Sequence, residues 1–218
     1  MGSSSYRKEI YPEYKANRAE KYKTQTELEA KEFKDFLKEF NRTIEIAEEY
    51  YPVFRYNKVE ADDIVAYLVS KLKKKYNIWL ISSDKDYDLL IDETVSRFSY
   101  VTRKETTLNN WNTHYDCDLE HYISIKCLQG DTGDNIKGIE GIGPKRAAEL
   151  VKQYGSAMDI YACLPIQSKY KYIKALNESG DTILTNYKLM DLVTYCEDAI
   201  GKENIIDINK RLEKIIND

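Results

Sequence analysis

The stretch Gly130 to Leu150, GDTGDNIKGIEGIGPKRAAEL, constrains the chain more than any other, because it sets two kinds of chemistry back to back. Asp131 and Asp134 are spaced i, i+3, which on a helical turn puts both carboxylates on one face, where they can share a cation. Gly138, Gly141 and Gly143 then break the chain into a tight hairpin, with Pro144 at a first helical position and a new helix opening at Lys145 and Arg146. Glycines let backbone approach a phosphate, and the helix N-terminus behind them adds N–H groups and the positive end of a dipole. The plainer reading stands beside this one: such aspartates commonly cap or turn the chain, and a Gly-x-Gly alone is a weak motif.

Charge sharpens the choice. The net charge is −4, which argues against a nucleic-acid partner until its distribution is followed. Residues 1–23 set Arg7, Lys8, Lys15, Arg18, Lys21 and Lys23 against Glu9, Glu13 and Glu20, whereas 84–93 sets Asp84, Asp86, Asp88, Asp92 and Glu93 against Lys85. In 6–23 the cations alternate with Tyr6, Tyr11, Tyr14 and Tyr22, a pattern that serves either a solvated surface or a single-stranded nucleic-acid channel. Cys117, Cys127, Cys163 and Cys196 lack metal-knuckle or paired spacing and read as reduced thiols, so a cytoplasmic location is expected. No apolar run approaches membrane-spanning length.

Thr26 to Glu29 forms a capping box before an amphipathic helix marked by Phe33, Phe36, Leu37, Phe40, Ile44 and Ala47. Pro52 to Tyr56 reads as a short strand leading into Val59-Glu60-Ala61-Asp62-Asp63, the first turn of a further helix. Ile78 to Ile81 is a continuous apolar run of the kind found in parallel strands buried on both faces, and it ends in Ser82-Ser83-Asp84-Lys85-Asp86. Val95 to Tyr100 alternates as another strand, and beyond Leu150 the chain reads as helical. The order is α/β, and in such sheets ligands gather at the carboxyl ends of the strands.

Glu60, Asp62, Asp63, Asp84, Asp86, Asp131 and Asp134 are thus seven carboxylates in three clusters. Two carboxylates about 5 Å apart repel by about 3 kcal/mol at an effective dielectric near 20. Several such pairs in a fold of roughly 5–15 kcal/mol call for cations or protons. Oxygen ligands without His or Cys point to two Mg²⁺ or Mn²⁺ ions, whose natural use is phosphodiester hydrolysis.

VEADD, SSDKDYDLL and the glycine segment, in this order, closely resemble the bacteriophage 5′-3′ exonuclease and flap endonuclease family, related to the 5′-nuclease domain of bacterial DNA polymerase I. The resemblance implies a PIN-like, mostly parallel sheet flanked by helices, with a C-terminal helix-three-turn-helix and helical region. It implies a nuclease core over 1–125, carrying a helical arch at about 14–50, and a DNA-binding region over 126–218. The seven carboxylates become ligands of two divalent ions, while Tyr14 stacks on a base and Lys15 and Arg18 hold and polarise the scissile phosphate. Gly138, Ile139, Gly141, Gly143, Lys145 and Arg146 grip duplex DNA beside a K⁺ ion. The implied function is cleavage of 5′ flaps and 5′ ends in phage DNA replication, in the host cytoplasm, by a monomer.

The family's proteins begin with two strands, each ending in an aspartate, and Gly2-Ser3-Ser4-Ser5 looks like the run just after the second. A complementing N-terminal fragment is therefore an expected partner. The rival reading is a DNA-binding chain without catalysis, or half of a split enzyme.

Overall fold

A computed structural model describes residues 5–217, so the Gly2-Ser3-Ser4 part of that N-terminal run lies outside the described residues. The chain opens with helices α1 (Ser5–Ile10), α2 (Ala16–Lys23), α3 (Glu27–Glu48) and α4 (Ala61–Leu72). Strand β1 (Ile78–Ile81), a 3₁₀ turn (Lys85–Leu90), β2 (Val95–Ser99) and β3 (Lys104–Thr106) follow. Helix α5 (Tyr122–Gln129) leads into a two-stranded hairpin of β4 (Gly130–Asp131) and β5 (Ile136–Lys137). The remainder is helical: α6 (Pro144–Tyr154), α7 (Ala157–Ala162), α8 (Lys171–Asn177), α9 (Gly180–Met190), α10 (Leu192–Ile200) and α11 (Lys202–Asn217).

Two cores organise these elements. In the first, Ile64, Ala66, Tyr67 and Val69 of α4 pack against Ile78 and Leu80 of β1, Val95 of β2, and Leu192, Cys196 and Ile200 of α10. In the second, Ile125, Cys127 and Leu128 of α5 are surrounded by α6, α7, α8 and α9. A small third cluster of Tyr14, Ile136, Leu189 and Met190 anchors the chain between α1 and α2. It carries the N-terminal cations into the middle of the molecule.

Three sequence expectations change. Residues 52–56 form no strand: Arg211 of α11 donates to the Val53 carbonyl at 2.6 Å and lies 4.4 Å over the Phe54 ring, so this segment's backbone is satisfied by a side chain and not by a sheet. The Asp131–Asp134 pair sits on a β-turn and not on a helical one, since Asp131 Oδ1 accepts the N–H groups of Gly133 (2.8 Å) and Asp134 (3.2 Å), an Asx-type turn that competes with helix. And β1 is half-buried on one face and exposed on the other.

That last difference follows from topology. The sheet runs β1-β2-β3, with β1 parallel to β2 and β3 antiparallel to it, which leaves β1 on an edge. Ile78 and Leu80 face α4, but Trp79 is 50% exposed and Ile81 64%. Among the described residues no layer covers that face.

The long helix α3 is as the sequence predicts, with both bonds of the Thr26–Glu29 capping box formed. It buries no residue. Tyr22, Phe33, Phe36 and Phe40 form a ladder of rings along it, with centroids 5.2, 6.3 and 5.9 Å apart.

Candidate active site

Five of the seven expected carboxylates line one cavity. Glu60, Asp62, Asp86, Asp131 and Asp134 surround a space of about 20 Å³ together with Arg7 and Tyr14, enough for about one water-sized occupant. The elements that bring them there are the N-terminal end of α4, the 3₁₀ turn after β1, and the β4–β5 turn. Asp84 is exposed and outside that lining, though near enough to Asp62 for its charge to act there, and it caps the 3₁₀ turn by accepting the Asp86 N–H at 3.0 Å. Asp63 is fully buried, and both its oxygens are taken by Arg7 at 2.7 and 2.8 Å. It is therefore half of an internal ion pair, not an open ligand.

Cations hold the rest. Glu60 accepts Arg7 Nη1 at 3.1 Å, Tyr14 Oη at 2.9 Å and a short bond from Lys15 Nζ. Asp134 accepts Tyr14 Oη at 2.9 Å and Arg18 Nη2 at 2.6 Å, with Lys15 Nζ at 3.5 Å. Lys126 of α5 bridges Asp86 at 2.6 Å and Asp131 at 3.6 Å. Among the described residues no group of three or more His, Cys, Asp or Glu stands in metal-holding geometry. The donor chemistry, carboxylate oxygen throughout, fits a hard divalent ion. Lys15, Arg18 and Lys126 occupy the oxygens that such an ion would take.

Burial acts on this cluster as well. It raises the Asp62 pKa to about 6, with Asp84 and Glu60 adding to the shift and a hydrogen bond from Tyr87 opposing it. It also raises Asp86, against the pull of Lys126, while the neighbouring carboxylates hold the Lys126 ammonium well above its ordinary value.

The N-terminal segment is stitched to the β4–β5 turn through the backbone. Lys15 N–H donates to the Asp134 carbonyl at 2.9 Å, Asn17 Nδ2 to the Thr132 carbonyl at 3.0 Å, and Asn135 Nδ2 to the Glu13 carbonyl at 2.7 Å. Lys15 itself has φ 55°, a left-handed conformation that costs a non-glycine residue of order 1 kcal/mol. Strain of this kind persists where surrounding bonds enforce it.

The tyrosine at this clasp is not where a base-stacking ring must be. Tyr14 is 2% exposed and serves as a strut whose hydroxyl spans Glu60 and Asp134. Ile139 is also buried, so only its backbone can face a ligand. Gly138 is explained by packing: a Cβ there would stand 1.9 Å from the Gln129 carbonyl oxygen. Gly143 is different. Nothing lies within 4 Å of the Cβ it lacks, and it caps α6 with no side chain over the helix end. Lys145 and Arg146 diverge from that end. Lys145 lines a cavity of about 510 Å³ shared with Lys85 and Lys126, whereas Arg146 turns the other way, toward α8.

Arg7 and Lys126 are cations of the acid cluster that the sequence reading did not place there. Arg7 was visible only as one charge among six. Lys126 lies on α5, whose apolar pattern gives no sign that its C-terminal end abuts an acid cluster.

An α/β half whose carboxylates meet at one edge, joined to a helical half with a glycine hairpin, defines a class. Residues 1–116 match the family model described as 5′-3′ exonuclease, N-terminal resolvase-like domain, and residues 117–211 match 5′-3′ exonuclease, C-terminal SAM fold. The chain belongs to this 5′-3′ exonuclease family of nucleases, with a PIN-like N-terminal half and a helical C-terminal half. The flap endonuclease of Escherichia phage T5 is 43% identical over 202 residues, which are 92% of this chain and 69% of that protein. The flap endonuclease Xni of Shewanella oneidensis is 31% identical over 191 residues, 87% of this chain and 69% of its own. Among solved structures, the phage T5 D15 protein co-crystallised with metal ions superposes with a TM-score of 0.95 at 41% identity, covering 98% of this chain and 82% of that one. A variant of the same flap endonuclease, in a pseudo-enzyme–product complex with DNA and metal ions, gives 0.96 at 40%, covering 100% and 82%.

Proposed function

We propose that this chain hydrolyses DNA phosphodiesters at 5′ flaps and 5′ ends during phage replication in the host cytoplasm, with residues 126–218 gripping the duplex and 14–50 taking the single strand. The observation that carries this reading is the convergence on one cavity of carboxylates from three separate segments, beside Lys15 and Arg18. The relatives crystallised with metal ions and with DNA support it. Glu60, Asp62, Asp84, Asp86, Asp131 and Asp134 would hold two Mg²⁺ or Mn²⁺ ions, which would supply positive charge to activate a water and offset that of the phosphate.

The chain's own residues do the rest. Once displaced from Glu60 and Asp134, Lys15 and Arg18 point at the cavity and bind the non-bridging phosphate oxygens, Arg18 as a fork and Lys15 as a point charge. Tyr14 and Arg7 keep Glu60 in place meanwhile. At the other end, the open backbone of Gly143, the first turn of α6 and Lys145 bind duplex phosphates. A K⁺ ion in the hairpin would use second lone pairs on carbonyls that already accept hydrogen bonds, those of Ile139 and Gly141.

The test is cleavage of a labelled 5′-flap duplex with Mg²⁺ or EDTA, beside Asp134→Asn. Mg²⁺-dependent cutting that falls by about a hundredfold or more in the variant is expected. Cutting that persists in EDTA overturns the metal part, and cutting unchanged in Asp134→Asn overturns the site.

The bare face and open edge of the sheet favour a second reading: a further polypeptide segment adds a strand beside β1 and covers Trp79 and Ile81. Tight flap binding without cutting, restored by such a segment, is its signature.

A further inference from the structure

Lys145 and Arg146 are adjacent and alike in charge, yet they stand in different surroundings. Lys145 is exposed and makes no ion pair among the described residues, on the side of α6 that shares a cavity with Lys85 and Lys126. Arg146 is turned back on the hairpin. Its Nη1 donates to the Gly141 carbonyl at 2.6 Å, and its guanidinium carbon lies 4.6 Å over the ring of Tyr172, in α8. Tyr172 is in turn stacked on Tyr170, with centroids 5.6 Å apart.

The hairpin tip completes the arrangement. Gly141 has φ +75°, and a Cβ there would stand 3.3 Å from Tyr172 Cβ and 3.6 Å from Arg146 Nη1. The left-handed residue that reverses the chain is thus pressed against Tyr172 and held through its carbonyl by Arg146. A guanidinium suits this task because it can lie flat on a ring and donate in its own plane at once, which an ammonium cannot. Two residues later Gly143 presents the backbone proposed to meet phosphate, and its direction depends on where Gly141 is held.

We propose that Arg146 and Tyr172 are positioning residues, a brace that fixes the hairpin for duplex binding, while Lys145 makes the phosphate contact. This deepens the DNA-binding reading above and rests on it. It also moves Arg146 out of the direct contact role that its sequence position implies.

Duplex binding of the full chain, measured across a salt series, separates contact from brace. Lys145→Ala removes a phosphate contact, so its slope of log K against log salt falls by about one. Arg146→Ala and Tyr172→Ala each weaken binding about tenfold with the slope unchanged, and the double variant is no weaker than either single one, because both break one unit. Tyr172→Phe keeps the ring and binds like the parent, whereas Arg146→Lys behaves like the alanine variant. Hydrogen exchange gives a readout that needs no DNA: amides of 138–143 exchange faster in Arg146→Ala and Tyr172→Ala, and not in Lys145→Ala.

A slope lowered by about one in Arg146→Ala, with Tyr172→Ala neutral, overturns the brace and makes Arg146 a contact. Hairpin exchange unchanged in both variants overturns it too. If Lys145→Ala leaves affinity and slope intact while hairpin exchange still responds to Arg146 and Tyr172, the hairpin is braced but is not the duplex site. The DNA-binding reading then fails alone.

Discussion

Asp62 is the carboxylate whose proton carries most information about the cavity. Its folded pKa of about 6 lies above the ordinary value of 3.8, so the folded chain holds the proton more tightly than the unfolded one does. Without divalent ions, this group's contribution is therefore most favourable below pH 4 and is lost as pH rises from about 4 to 6. Asp62→Asn, which keeps an acceptor for the Tyr87 hydroxyl, should stabilise the chain by about 2–3 kcal/mol at pH 8 and by almost nothing near pH 4, as read from urea midpoints. A variant no more stable than the parent at pH 8 would show that the carboxylate ionises there without penalty. The clustering of the acids was legible from their placement at element ends. What was not legible is how they are neutralised, because Arg7, Lys15, Arg18 and Lys126 reach them through contacts that span more than a hundred residues or lie behind a turn. Asp88 makes the same point from the opposite side. It belongs to the acidic run but is fully buried, bonded to Arg97 and Tyr115, and takes no part in the cavity.

Helix α3 is the element whose behaviour follows most directly from its sequence. Its capping box fixes where it starts, and its apolar positions recur at helical spacing, yet no other part of the fold buries them. A 22-residue helix with no buried residue holds its bonds chiefly by propensity, its cap and the ring ladder, with one bond from Arg55 to Asn41 at 3.1 Å besides. Its amides from about 30 to 44 should therefore exchange orders of magnitude faster than those of α5 at the centre of the second core, and Thr26→Ala should quicken them about fivefold more. Equal protection in α3 and α5 would mean that something covers α3 in solution. Elements with strong local signals, α3, α4, β1, β2 and α6 with its N-terminal proline, were readable in this way. Residues 52–56 were not, because an extended apolar stretch becomes a strand only if a neighbour accepts its hydrogen bonds. Helix α10, which follows α9 at once, was also hidden. Asp191 starts it by accepting the N–H groups of Val193 and Thr194, an N-cap placed directly at the end of the preceding helix.

At the scale of the molecule, the two tryptophans report on the two sides of the nuclease half. Trp111 is 3% exposed, its indole N–H bonded to the Cys117 carbonyl, while Trp79 stands half exposed on the uncovered face of the sheet. Iodide should quench about half of the fluorescence readily and leave the rest, and Trp79→Phe should remove the accessible fraction. A segment that covers the sheet would protect that fraction and shift its emission to the blue, whereas quenching of a single uniform class would put both indoles in like surroundings. The succession α4, β1, β2 was readable, but which faces these elements cover was not, since the apolar run of β1 fits a central strand and an edge strand equally well.

The clasp between residues 13–18 and the 131–135 turn has a consequence for how the chain is made. Its cations emerge from the ribosome first and its Asp131–Asp134 turn more than a hundred residues later, so a half-synthesised chain has Lys15 and Arg18 in hand but only part of the acid set. The left-handed Lys15 and the strut at Tyr14 can settle only when that turn arrives to accept them. The acid set that faces Lys15 and Arg18 is therefore complete only once translation has passed the turn.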